Sequence, residues 1–216
     1  MKKKTPNLPE VLEEAGDFSI LLSEAKREET DILRTRIENV SLQNADLSRV
    51  SFRETIFENC RFLNCSFQKG SFIDVRFCRC DFSGGNFEDG YFCRCELQCC
   101  KWMGAGLQNC GIQDVSICGS NLKYSRFGHS VLNSVHIAES DFSEADFSEC
   151  RLKDFYPEGV RFQKAAFFKT SLRGIDFTSN QIDGIVVSDG FAELRGAVVN
   201  LYQAAGLAGL LGVIIQ

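Results

Sequence analysis

The sequence predicts an all-β solenoid, because a large apolar residue recurs at every fifth position over most of the chain. The series begins at Ile37 and ends at Val187, and 30 of its 31 positions are large and apolar. Fifteen of the 19 Phe residues fall on this single phase. The register never shifts, so the chain is expected to form one unbroken stack of short repeats.

A second position, two residues before each large apolar residue, is also restricted in residue type. It carries mostly small or β-branched residues, such as Val40, Ala45, Thr55, Cys60 and Gly70. The other three positions of each five are mainly polar or charged. A helix repeats about every 3.6 residues and a strand about every 2, so neither fits this period. The chain must instead turn a corner every five residues, with one large and one small side chain pointing inward from each side.

Several five-residue segments resemble the A(D/N)LXX consensus of pentapeptide-repeat proteins. Ala45–Arg49, Cys80–Gly84 and Ala145–Glu149 read ADLSR, CDFSG and ADFSE, and the resemblance covers residues 32–189. It implies the fold of that family, a right-handed quadrilateral β-helix with four pentapeptides in each coil. The 31 repeats would make nearly eight coils and a rod about 37 Å long, at about 4.8 Å per coil.

The ends of the chain depart from the repeat and are predicted to cap a stack that would otherwise expose unpaired backbone. We divide the chain into an N-terminal cap or arm (1–30), the β-helix (31–190) and a C-terminal cap and dimerisation element (191–216). Pro9–Ala15 is expected to form a short helix. The last region is expected to contain a strand at Val198–Val199, a helix N-capped by Asn200 and a strand at Val213–Ile215.

The C-terminal helix would be apolar on more than one side, which is more apolar surface than a single cap needs. Such a surface usually meets a partner, and the partner expected here is a second copy of the chain. The predicted homodimer interface comprises Val198, Val199, Leu201, Leu207, Leu210, Leu211, Val213 and Ile214.

Composition and charge limit the possible partners. The net charge is −5, whereas surfaces that bind nucleic acid are usually basic, so no direct nucleic-acid binding is expected. No apolar run fits a signal peptide or a membrane span, and a cytoplasmic location without membrane contact is expected. The 11 Cys residues are then expected to be reduced.

The cysteines suggest zinc at first sight, through Cys78-x-Cys80, Cys93-x-Cys95 and the pair Cys99–Cys100. Zinc needs four ligands that converge on one point. In the register of the repeat the second member of each pair points inward and the first points outward, so the two cannot chelate together. The inward thiols are expected to pack as small residues, and the outward Cys78, Cys93 and Cys118 to be exposed. No metal or cofactor is expected.

The sequence offers no support for an enzyme. His129 and His136 are the only histidines. Both occupy outward positions, without a neighbouring nucleophile constellation. We therefore expect a binding protein without catalytic residues.

Acidic residues concentrate near the end of the repeat region, opposed there only by Arg151 and Lys153. They form a candidate partner-binding patch of Glu139, Asp141, Glu144, Asp146, Glu149, Asp154 and Glu158. An ordinary solvated surface is an equal alternative. One outward column largely alternates in sign and would keep coils in register: Arg61, Asp81, Lys101, Asn121, Asp141 and Arg161.

Pro157 is the one exception in the apolar series, and Phe155 places a large ring where a small residue is expected. The two predict a distorted coil at Lys153–Gly159. A tolerated kink is favoured over a recognition feature.

Three segments resemble Qnr-type proteins of Gram-positive bacteria. They are Pro6–Glu10, Gly174–Thr178 and the tail Val198–Ile214. The resemblance implies a homodimer joined tail to tail, binding to DNA gyrase and topoisomerase IV, and protection of both enzymes from fluoroquinolones. It also implies that the rod mimics a DNA duplex.

A count of charges shows that the rod as a whole does not reproduce the charge of a DNA duplex. Any mimicry of DNA must therefore be local or must rest on shape. A duplex carries one charge per about 1.7 Å, so a rod of about 37 Å should carry about 22 negative charges. Residues 31–190 contain 21 acidic but also 18 basic residues, a net charge of −3.

Two alternatives to the protection of topoisomerases from fluoroquinolones remain. One is self-protection or topoisomerase regulation against a natural toxin, and the other is a structural or adaptor solenoid.

Overall fold

The computed structural model describes residues 4–210 and 212–214. The strands are β1 (Glu13–Glu14), β2 (Ile32–Leu33), β3 (Thr35–Glu38), β4 (Ser41–Gln43), β5 (Ser51–Glu58), β6 (Arg61–Leu63), β7 (Ser71–Cys78), β8 (Tyr91–Cys93), β9 (Glu96–Gln98), β10 (Gly111–Cys118), β11 (Val131–Ala138) and β12 (Arg151–Glu158). The helices are α1 (Phe18–Glu28), a short 3-10 helix (Ala192–Leu194) and α2 (Leu201–Leu210). Within the described chain, no helix is long and apolar enough to cross a membrane.

Most strands pair in parallel with the segment twenty residues further along, as Phe52 pairs with Phe72 and Phe57 with Phe77. The backbone has a positive φ at every fifth residue from Arg34 to Lys169. One coil therefore has four corners, and the chain forms the predicted four-sided parallel β-solenoid. It makes about seven turns.

The large apolar residues of the repeat fill the interior. Rings one coil apart stack nearly flat, as do Phe67 and Phe87, whose centroids are 4.8 Å apart at an interplanar angle of 1°. Rings on adjacent sides meet edge to face, as Phe77 and Phe82 do at 88°. A flat ring fits the coil spacing of about 4.8 Å, and offset stacking is a favourable arrangement for aromatic pairs. This fit explains why one aromatic residue is used so often.

The small inward residues form ladders of hydrogen bonds along the rod. The amide of Cys60 donates to Cys80 Sγ at 3.4 Å, and the amide of Cys80 donates to Cys100 Sγ at 3.4 Å. The amide of Cys100 donates to Ser120 Oγ at 3.0 Å. Burial raises the pKa of the Cys95 thiol to about 12, so this interior thiol stays protonated at neutral pH.

The N-terminal end differs from the prediction. The helix expected at Pro9–Ala15 is absent, because two residues of that segment form β1 and pair with β3. Helix α1 begins only after Asp17, whose carboxylate accepts hydrogen bonds from the amides of Ser19 and Ile20 at 2.9 and 3.3 Å. The helix closes this end of the stack, since Phe18 packs on the Phe62 ring at 5.8 Å.

Helix α2 begins after Asn200, as predicted. Asn200 Oδ1 accepts from the Gln203 amide at 3.0 Å, and Gln203 Oε1 accepts from the Asn200 amide at 2.8 Å. Gln203 Nε2 also donates to the carbonyls of Phe177 and Asn180, both at 2.7 Å. One side chain thus caps the helix and the last coil together.

The two C-terminal strands predicted from the sequence are not formed. Val198–Val199 contributes only a single bridge, between Val198 and Asp176. Val213 and Ile214 lie outside any strand, and Ile215 lies outside the described residues. The backbone here pairs only where it meets the last coil, because no further coil is available to it.

The distortion predicted at Lys153–Gly159 is also wrong. Strand β12 pairs in register with β11, including Val135 with Phe155 and Ile137 with Pro157. The departure comes one coil later, where residues 171–178 form no described strand and no bridge to β12. In earlier coils the central amide donates to the next coil, as Phe82 does to the Lys101 carbonyl at 2.7 Å. Proline has no amide hydrogen, so Pro157 cannot make this bond to the next coil.

Candidate interaction surfaces

The seven acidic residues of the predicted patch lie at one level of the rod but not on one side of it. Glu139, Glu144, Glu149 and Asp154 occupy successive corners, with φ values between 47° and 57°. Because a coil has four corners, these residues lie on four different edges. The seven therefore form an acidic belt around the solenoid. At one corner of the belt, Lys169 Nζ and His129 Nδ1 lie 3.3 and 3.6 Å from Glu149.

Asp141 belongs to the belt but is only 6% exposed. It accepts hydrogen bonds from the hydroxyl and the amide of Ser143 at 2.6 and 3.0 Å. Lys123 and Arg161 pair with it at 3.3 and 3.1 Å. Burial raises its pKa, but these hydrogen bonds and charges outweigh burial and leave the pKa below its ordinary value. Asp141 therefore holds neighbouring coils together, as the alternating column predicts.

The C-terminal end of the rod is strongly apolar and exposed. Leu201, Tyr202 and Ile214 are 82%, 88% and 86% exposed. With them we define the C-terminal apolar end as Val198, Leu201, Tyr202, Leu210, Val213 and Ile214. The predicted interface also included three other residues: Val199 and Leu207 pack partly against the core, and Leu211 lies outside the described residues. Sequence reasoning missed Tyr202.

A second surface, not predicted from the sequence, is the outer face of the sheet beneath the first residues of the chain. The N-terminal arm (residues 4–14) runs over this face before it forms β1. The Asn7 amide donates to Asp74 Oδ1 at 2.9 Å, and Lys4 Nζ lies 2.9 Å from Asp114 Oδ2. Burial raises the pKa of Asp114, but the bonds and charge of Lys4, with further hydrogen bonds, lower it overall.

Outward residues beneath the N-terminal arm are buried, which the repeat register does not predict. Ile56, Cys93 and Ser116 are 8%, 6% and 5% exposed, whereas Tyr156, on the same face beyond the arm, is 41% exposed. The prediction of an exposed Cys93 is therefore wrong. The guanidinium of Arg94 also covers it, with Nη1 at 3.3 Å from Sγ. Of the other outward thiols, Cys78 is half-buried, and Cys99 and Cys118 are exposed.

The missing strand beside β12 leaves a groove of about 630 Å³. Ile137, Phe155 and Pro157 contribute apolar surface to it, and Glu158 and Asp176 add acidic groups. The sequence marks Phe155 and Pro157 as unusual but gives no sign of a groove. Within the described residues, no cluster of His, Cys, Asp or Glu is placed to hold a metal ion.

A solenoid with one large and one small inward residue on each side defines a repeat scaffold. The profile of the family described as Pentapeptide repeats matches the chain in eight copies, within residues 34–68, 45–84, 60–98, 110–148 and 140–179. These segments cover more than half of the chain, and the chain belongs to the pentapeptide-repeat family. A search of the curated proteins found no match.

Solved structures with a similar fold include QnrB1, a plasmid-mediated fluoroquinolone resistance protein. One trypsin-treated form is 21% identical, covers 84% of this chain and 91% of its own, and superposes with a TM-score of 0.52. A second trypsin-treated form is 23% identical over 84% of this chain and 90% of its own, with a TM-score of 0.48. At 21% identity, the likeness to the first form shows the fold alone.

Proposed function

We propose that this chain is a non-enzymatic cytoplasmic protein that binds DNA gyrase and topoisomerase IV and protects them from fluoroquinolones. The observation that carries the proposal is the likeness to QnrB1 along 84% of the chain. The Qnr-like segments at both ends of the sequence support it. A rigid rod acts by presenting a surface, so the function must lie in particular surfaces and not in the fold itself.

The acidic belt is the surface we assign to any DNA-like contact with a topoisomerase. Charges over the rest of the rod nearly cancel, so the rod as a whole does not reproduce the charge of a duplex. Glu139, Glu144 and Glu158 are exposed within the belt, whereas Asp141 is already paired. These three exposed carboxylates are therefore the groups of the belt that we assign to contact with a basic protein surface.

The C-terminal apolar end is the surface we assign to a homodimer. A monomer seldom exposes so many large apolar residues at one place, and a two-fold contact would bury the same residues on both copies. Sedimentation should give about twice the chain mass of 24.2 kDa. Leu201→Asp with Ile214→Asp should give a folded monomer, whereas Val131→Asp, at an exposed position on β11, should leave the dimer intact. A wild-type monomer would refute this part of the proposal.

A supercoiling assay tests the main proposal. Purified protein should restore the activity of gyrase in the presence of ciprofloxacin. Glu139→Lys with Glu144→Lys should weaken the rescue, because both change exposed corners of the belt. Asp89→Lys, at an exposed acidic corner outside the belt, is the matched control and should retain it. No rescue by excess wild-type protein would reject the function, and equal rescue by all variants would reject the role of the belt.

A further inference from the structure

The N-terminal arm contacts coils that do not touch each other. Its last residues pair with β3, its middle is bonded to Asp74 on β7, and Lys4 is paired with Asp114 on β10. In a solenoid each repeat normally contacts only its neighbours, so stability is a sum of local terms. The arm adds stabilising contacts that link coils far apart along the rod.

The spacing of the two anchors fits an extended chain. Asp74 and Asp114 lie two coils apart, which is about 10 Å along the rod. Asn7 and Lys4 are three residues apart, and three extended residues also span about 10 Å. Residues 4–7 therefore run nearly straight along one edge of the rod, between two corners that are two coils apart.

The anchors are themselves fixed by the solenoid. Arg94, at the corner between them, binds Asp74 through Nε at 2.7 Å and Nη2 at 2.6 Å. Asp74 and Asp114 are 5% and 6% exposed, and Pro6, between the anchor points of the arm, is buried. The arm is thus held to the rod by specific contacts of Lys4, Pro6 and Asn7.

We infer that the N-terminal arm is a strap that makes the coils from β3 to β10 open as one cooperative unit. The coils of β11 and β12 lie beyond the last anchor and open separately. Local opening is governed by the contacts that must break together. Any opening between β3 and β10 must also detach the arm, which spans all of them.

Hydrogen exchange of the full-length protein tests the inference. Lys4→Met keeps the aliphatic stem and removes the charge, and Asp114→Asn removes the charge from the other partner. Each should lower the protection of β5, β7 and β10 amides by about tenfold, the effect of losing one charged hydrogen bond. Amides of β11 and β12 should keep their protection. The informative amides are those of β5 and β7, because they are far from both substitutions along the rod.

The matched control is Lys153→Met with Asp154→Asn, which changes the same kinds of residue beyond the arm. Asp154 occupies the same corner as Asp114, two coils further on. This variant should leave β5, β7 and β10 unchanged. Loss confined to β10 and its direct neighbours, no loss at all, or an equal loss in the control would overturn the inference. Lys4 is 59% exposed, so its replacement should not prevent folding.

Discussion

Phe72 shows what one ring contributes at the scale of a single residue. It is fully buried and stacks on Phe52 at 5.4 Å and on Phe92 at 4.7 Å. Phe72→Ala should lower the free energy of unfolding by about 3–5 kcal/mol, because it removes contacts and leaves a cavity. Phe72→Leu should cost less than about 1.5 kcal/mol, since Leu, as at Leu132, fills this position in other coils. Denaturant unfolding measures both changes, and equal losses would contradict the cavity explanation, because the cost would then depend on the ring and not on the volume removed.

Asp141 provides a residue-scale prediction for pH. Its pKa is lower in the folded protein than in the unfolded chain, so it stabilises the fold above its ordinary pKa. That stability is lost as the pH falls through the lowered value. Asp141→Asn should cost about 1–3 kcal/mol at pH 7 and flatten the loss of stability in acid. Denaturant midpoints at pH 7 and pH 3 test this. An unchanged acid dependence in the variant would show that other carboxylates are responsible.

The C-terminal cap illustrates the scale of one element. Asn200 and Gln203 bond each other reciprocally at the start of α2, and Gln203 also closes the last coil. Asn200→Ala should therefore lower the free energy of unfolding by about 0.5–2 kcal/mol. Asn133→Ala, at a half-buried outward position of β11, is the control and should be nearly neutral. Thermal unfolding distinguishes the two, and equal effects would reject the capping role.

The elements also show where sequence reasoning succeeds and where it stops. The position of every coil follows from the five-residue period, because each side of the solenoid repeats the same packing requirement. The caps have no such period, so the helix expected at Pro9–Ala15 is wrong, and the sequence predicts an N-terminal arm without its path or its contacts. The contacts that hold the arm, such as Lys4 with Asp114, join residues more than a hundred positions apart. Asn200 was predicted because a helix N-cap is a local signal.

The whole molecule is a set of interchangeable coils, which makes its length a testable property. Deleting Val131–Cys150 removes one complete coil, and β10 should then pair directly with β12 in the same register. The shortened protein should fold and unfold cooperatively. Deleting only Val131–Ser134, four residues, should shift every later large residue out of its inward position and prevent folding. Circular dichroism and denaturant unfolding separate the two outcomes, and folding of both variants would contradict the register argument.

The candidate surfaces depend on geometry that the sequence reveals only in part. The acidic residues were visible as a cluster, but a cluster along the chain becomes a belt when the chain turns a corner every five residues. Asp141 could not be separated from the exposed members, because Lys123 and Arg161 reach it from the adjacent coils. The groove beside β12 arises from an unmade strand, and a missing pairing leaves no pattern in the sequence.

Pro157 has a bearing on how long such a rod can be. A parallel edge left open at the end of a solenoid is a template to which further chains can add. Here β1 and α1 close one end; at the other, Pro157 has no amide to donate to the following coil, and Gln203 bonds the carbonyls of the last coil. The rod therefore has a fixed length, because residues of the chain itself close both of its ends. Two surfaces placed at its opposite ends are held at a constant separation, whatever binds to them.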